Sequence, residues 1–292
     1  MNMKVFLILS ALIMFIVIIC YFTLKLMQQS ASSSNVEFVS IKYFDRSIKG
    51  KTTYFSRMSN LDLVARSSRT QEEYTIKYKE SILEFNDKEK EVLKSLAANI
   101  DIHLEPFEKL YYIPWKFLKI KSNIELGFPH TLEDTIILSE PFFRLGYEQQ
   151  IITLLHEKIH VFQRQFPTET NEFIMNVMGF QIKKRHESFN TKMRNNPDLN
   201  SITYGKHDFY TLQLYNTEDP KNISNSHPVK VHEETLKVSN ITASDLDLPE
   251  FITQLEHPFE IMASYLPLIL LHRITMKSVP RSIFTWLQTL KK

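Results

Sequence analysis

Cysteine is nearly absent. The 292-residue chain has one, Cys20, so neither an intrachain disulfide nor a cysteine-ligated zinc site can form. Charge of one sign is equally lacking: 35 basic and 33 acidic residues leave a formal net charge of +2, and nothing in that balance points to a nucleic-acid partner. Glycine is scarce (5) and phenylalanine plentiful (21), and with 43% apolar residues the chain can bury a full core.

One long apolar run is present. Residues 5–24 read VFLILSALIMFIVIICYFTL, bracketed by Lys4 and Lys25. Twenty residues of helix span about 30 Å, the hydrocarbon thickness of a bilayer. A cleaved signal peptide has a shorter apolar stretch, so residues 1–27 are read as an uncleaved, single-pass membrane anchor with its flanks. Cys20 then lies in the membrane. Residues 28–35, with Ser30-Ala31-Ser32-Ser33-Ser34, form a flexible Ser-rich linker. Residues 36–292 are read as one α+β domain, mostly helical with a small sheet.

Within that domain residues 36–44 alternate weakly and read as extended. A helical pattern covers 70–84, and Asn86-Asp87-Lys88-Glu89 is a capping box opening a helix to about residue 98. Residues after Pro114 read as a strand carrying Trp115 into the core. Gly127-Phe128-Pro129-His130 reads as a turn, which would leave His130 exposed or lining a cleft, and Thr135-Ile136-Ile137-Leu138-Ser139 as a second strand. A helix is expected over 169–186 and another over 279–290. Residues 189–248 are turn-rich and aperiodic, apart from a strand pattern at 209–215, and read as an irregular insert. Asn222-Ile223-Ser224 and Asn240-Ile241-Thr242 match glycosylation acceptors.

The chemistry concentrates in Leu154-Leu155-His156-Glu157-Lys158-Ile159-His160-Val161-Phe162. Helical residues four apart share a face, with Cβ atoms about 5–6 Å apart. His156 and His160 can therefore present two imidazoles to one metal ion. Glu157 sits about 100° round the helix, a poor third ligand but well placed as a general base. The surrounding apolar residues predict a buried helix from about residue 146 to just before Pro167, where unpaired polar groups are costly. Arg164, one turn past the motif, is read as holding a carboxylate, most simply in a structural ion pair.

A metal site of this kind needs a third ligand. Glu260 is the candidate, in the first turn of a helix opened by Pro258, with His257 near its N-cap as the alternative ligand. Small Ala263 would let two helices approach. Tyr265, five residues on, reads most simply as a core residue.

His156-Glu157-Lys158-Ile159-His160 with His257-Pro258-Phe259-Glu260-Ile261-Met262-Ala263 downstream resembles the gluzincin branch of zincin metallopeptidases. Residues 86–270 also resemble uncharacterised metallopeptidase-like membrane proteins of large DNA viruses, through Trp115-Lys116-Phe117, Gly127-Phe128-Pro129-His130-Thr131 and Gln163-Arg164. The resemblance implies a zincin-like fold, one Zn²⁺ per chain, a peptide or protein substrate, and a virion or host membrane. It makes Glu157 catalytic, His156, His160 and Glu260 the ligands, and Tyr265 the candidate oxyanion donor. It also makes Thr135 to Ser139 an edge strand along which substrate extends. The family often carries an acidic residue four positions after the ligand Glu, where this chain has Ser264. That departure keeps open a catalytically degenerate, zinc-binding membrane or virion structural protein.

Overall fold

The computed structural model describes residues 35–48, 54–274 and 279–291. The 5–24 run and the Ser-rich linker up to residue 34 lie outside them. Among the described residues no helix is long and apolar enough to cross a membrane. Residues from Val36 onward form one compact α+β unit.

The chain enters as a three-residue strand, β1 (Val36–Phe38), and turns into helix α1 (Ile41–Ile48). Short α2 (Asn60–Ala65) opens with a Ser59–Asp62 capping box, and α3 (Gln71–Glu80) with Thr70 as N-cap. A two-residue strand, β2 (Ile82–Leu83), leads to α4 (Asp87–Leu104). Asn86 and Glu89 form the expected capping box, and the helix runs six residues past the expected end, burying Leu93, Leu96, Ala97, Ile100 and Leu104. One helical turn, α5 (Glu108–Tyr111), precedes β3 (Trp115–Ile120), β4 (His130–Leu132) and β5 (Thr135–Leu138).

These strands make a sheet in the order β1-β3-β5-β4, with β2 paired antiparallel to β3. β1 and β5 run parallel to β3, and β4 antiparallel to β5. The edge assignment of Thr135 to Ser139 is therefore corrected. Ile136 faces Phe117 on one side and Thr131 on the other, so β5 is an inner strand. Its fully buried side chains follow from that position. The edge is β4, too short and polar to show a strand pattern. His130 is buried within it, its Nε2 2.6 Å from the Tyr78 hydroxyl, rather than exposed in a turn.

α6 (Tyr147–Gln165) carries the His-Glu-x-x-His motif and packs against α4, β4 and β5. It ends at Phe166 because a residue before proline disfavours helical backbone; Phe166 has φ −124° and ψ 65°. α7 (Pro167–Glu172) follows, then a π-helical turn over Phe173–Val177. The helix expected over 169–186 stops here, since Gly179 takes φ +73° and β6 (Gln181–Ile182) begins.

The supposed irregular insert is a second sheet. β7 (Tyr204–Lys206), β8 (Phe209–Tyr215), β9 (Ser226–His232) and β10 (Val238–Asn240) pair antiparallel in the order β10-β9-β8-β7-β6. Gly205 permits the tight β7–β8 turn, since a Cβ there would collide with the Phe209 backbone. Phe189, Tyr210, Leu212, Leu214, Val229 and Val231 give this sheet its own core. α8 (Pro258–Leu270) lies against α6, and α9 (Arg281–Thr289) closes the chain.

Candidate metal centre

α6 and α8 bring three ligand atoms together. His160 Nε2 lies 3.0 Å from His156 Nε2, and the Glu260 Oε2 atom lies 3.2 Å from His156 Nε2 and 3.4 Å from His160 Nε2. These three residues could hold a metal ion. Ligand atoms placed tetrahedrally around zinc, at about 2.0–2.1 Å each, stand about 3.3–3.4 Å apart. The triangle matches that spacing. Buried Glu260 Oε2 has no hydrogen bond, which fits an atom reserved for a cation.

The surroundings fix the ligands. Gln163, one turn past His160, donates Nε2–H to the Phe259 carbonyl at 2.9 Å, which turns its Oε1 to His160 Nδ1, also 2.9 Å away. In its neutral form His160 therefore carries its proton on Nδ1 and its lone pair on Nε2. Asn196 donates Nδ2–H to Glu260 Oε1 at 2.7 Å, leaving Oε2 to the centre. Burial disfavours charge at both partners, but their attraction outweighs it. His160 is pushed up to about 9 and Glu260 held well below the usual carboxylate range.

Glu157 is buried beside this triangle, with Oε2 unpaired. Burial first, then the negative charge of Asp198, raises its carboxyl well above the ordinary value. That is the behaviour of a proton acceptor kept from water.

Two sequence candidates are corrected. Both nitrogens of His257 are engaged, Nδ1 accepting from Phe259 N at 3.1 Å and Nε2 donating to the Ile202 carbonyl at 3.1 Å. It is the N-cap of α8, held neutral by burial with its pKa lowered to about 4, and not a ligand. Tyr265 lies about 140° round α8 from Glu260 and is buried in the core with its ring against the exposed Phe251, so the structure gives it no place among the ligands. Ser264 bonds Gln254 Oε1 at 2.5 Å and orients no histidine. Arg164 is half-buried and knits elements rather than forming a close ion pair. It donates to Thr131 Oγ1 at 2.5 Å and to the Pro197 carbonyl at 2.9 Å, with Asp198 at 3.9 Å.

Sequence reasoning missed the 195–198 segment. Asp198 Oδ1 accepts from both Thr131 N and Thr131 Oγ1 at 2.6 Å, capping the β4 edge. Gln163 was legible from its i+3 spacing to His160; Asn196 carried no local signal. The chain matches no family model, no curated protein and no solved structure.

Proposed function

We propose that the chain is a zinc-dependent metallopeptidase of the gluzincin type, tethered to a membrane by residues 1–27. The observation that carries this reading is the triangle of His156 Nε2, His160 Nε2 and Glu260 Oε2 with an unpaired, buried Glu157 beside it. The sheet preceding the motif helix, and the packing of that helix on the one bearing Glu260, also support a zincin-like fold.

Bound zinc would polarise the scissile carbonyl and acidify a water. The remaining work belongs to the chain. Glu157 takes a proton from the attacking water as the new C–O bond forms, and returns it to the amine nitrogen as the C–N bond breaks. Gln163 keeps His160 in the ligating tautomer, and Asn196 keeps Glu260 turned. The buried position of Glu157 keeps its basicity high.

A second reading, a zinc-binding interaction protein without turnover, draws on one observation. Asp198 occupies Thr131 N on the β4 edge, where an added peptide strand would bond.

The test is metal content of the full-length chain in detergent, beside His156→Ala/His160→Ala. About one zinc per chain, lost in the double variant with the fold retained, is expected. No metal in well-folded wild type supplied with zinc would sink the proposal. Glu157→Gln should keep zinc and lose peptide cleavage; cleavage at the wild-type rate would remove Glu157 from its role. A zinc-loaded wild type that cleaves nothing selects the second reading.

A further inference from the structure

Six buried side-chain polar atoms lack a partner among the described residues. Two are Glu157 Oε2 and Glu260 Oε2 of the metal centre. Three more, Arg57 Nε, Arg194 Nε and Gln213 Oε1, belong to residues that line one other pocket. Unpaired buried groups are rare, because each forfeits its hydration. Their gathering in a second place marks a site built for something not part of the chain.

The pocket has a volume of about 320 Å³, within the range of small-ligand sites. It is lined by Asn195 and Asn196 of the segment that caps β4, and shares Asn196, Glu256 and His257 with the surroundings of the metal centre. Three arginines line it: Arg57, Arg185 and Arg194. Of the five donors a guanidinium offers, Arg57 uses one, to the Leu199 carbonyl, and Arg185 uses two, to Asn190 Oδ1 and Thr203 Oγ1. The Arg194 side chain makes no hydrogen bond, and none of the three forms an ion pair among the described residues. Asp62, also on the wall, is spent on Arg66, Tyr215 and Asn195. Glu256 also lies on the wall, but it forms no ion pair with any of the three among the described residues. Burial also pulls Arg57 and Arg185 below their ordinary values, as expected of cations awaiting a partner.

We propose that this arginine pocket receives a carboxylate of a peptide substrate, an acidic side chain or the C-terminal carboxylate, next to the metal centre. The planar guanidinium fork matches a carboxylate. Gln213, whose Oε1 is a buried acceptor without a partner among the described residues, lines the same pocket. The proposal rests on the metallopeptidase reading and gives it a substrate class. It also fits the closed β4 edge. With Asp198 on Thr131, substrate is held through its charged group rather than by strand addition.

The test is a binding measurement on full-length Glu157→Gln protein in detergent, with zinc measured in the same preparation. The probes are fluorescein-labelled octapeptides of Ala, Leu and Phe carrying one internal Glu or Gln, each as a free C-terminal acid or an amide. Acid forms should bind about 10- to 100-fold tighter than their matched neutral forms. Discrimination at the terminus identifies a C-terminal carboxylate, and at the internal position an acidic side chain. Adding Arg57→Gln and Arg194→Gln should erase the discrimination with zinc retained. Should that variant not fold, Arg185→Gln alone should reduce it, and Arg194→Glu should shift preference to a Lys peptide. Equal binding of acid and neutral forms overturns the proposal. So does an acid preference that survives the arginine substitutions, since zinc alone then accounts for it. Zinc-free protein that still discriminates upholds the pocket and removes the peptidase reading; zinc-loaded protein that does not discriminate does the reverse.

Discussion

Neighbouring residues Asn195 and Asn196 reach into two different buried charged clusters. Asn195 joins the first. There Arg66 holds Glu125 through two hydrogen bonds, 2.7 and 3.0 Å, and Asp62 at 2.9 Å. Tyr54 and Tyr74 each donate to Glu125 at 2.5 Å, Tyr215 donates to Asp62, and Asn195 closes the set through its backbone. Asn196 joins the second, the His156–His160–Glu260 triangle with Glu157, where two carboxylate oxygens are left without partners. Both clusters are desolvated and both mix acids with bases. The first is saturated and the second is not. A saturated buried network specifies a fold, while an unsaturated one is held open for a ligand.

The largest expected effect tests the saturated side. Arg66 and Glu125 are 2% and 3% exposed, so Arg66→Met strands two buried carboxylates. Breaking a buried pair from one side costs about 3–5 kcal/mol, a drop of roughly 6–20 °C in melting temperature. A change below about 1 kcal/mol would mean the network is not structural. The same cluster sets an acid limit. Burial alone would raise Glu125, but Arg66 overrides it and holds the carboxyl at about 2. A depressed acid contributes its stability above the unfolded value of about 4.5, and loses it as pH falls toward 2. Wild type should therefore lose stability across that window more steeply than Glu125→Gln. Parallel curves would remove Glu125 from the account.

The unsaturated side predicts linkage to a metal instead. Zinc at a hundredfold excess over Kd should stabilise wild type by about 2.7 kcal/mol and leave His156→Ala/His160→Ala unmoved, as read by thermal melts. Equal shifts in both proteins would place the zinc elsewhere. Gln163→Leu sits between the two clusters in character, since Gln163 is itself satisfied yet serves an open site. Removing the acceptor of His160 Nδ1–H should weaken zinc binding about 10- to 100-fold, measured by competition with a chromogenic chelator. Unchanged affinity would show that helix packing alone sets the imidazole.

Legibility followed the same division. The motif helix, its end before Pro167 and the Asn86 capping box rest on local chemistry, and all stand where the sequence puts them. His156 and His160 were legible because ligand residue types at helical spacing are a local signal, and Glu260 through the first turn opened by Pro258 and the family resemblance. The second sheet was not: β6, β7 and β10 have two or three residues each, too few for a period to show. Nor was the edge position of β4, which depends on the pairing of β3 with β5 across an intervening turn. Asn196 and the three arginines meet only through tertiary packing. In the Glu125 cluster only the Arg66–Asp62 pair is local; Glu125 and Tyr215 stand 59 and 149 positions from Arg66, beyond any window of pattern.

The smallest effect separates the two sequence readings of Tyr265. A hydroxyl that stabilises the transition state contributes on the order of 2.7–4 kcal/mol, a loss of about 10²–10³ in turnover when removed. The structure instead buries the ring in the core, on a face of α8 turned from Glu260, with the exposed Phe251 against it. Burial raises its pKa, and among the described residues no hydrogen bond ties its oxygen. Tyr265→Phe keeps the packed ring and should leave turnover within about twofold and stability within about 0.5 kcal/mol. A hundredfold loss of turnover in a protein that still holds its zinc would return Tyr265 to the chemistry. It would also require α8 to rotate when substrate binds, since its present face points the hydroxyl away from the open cluster.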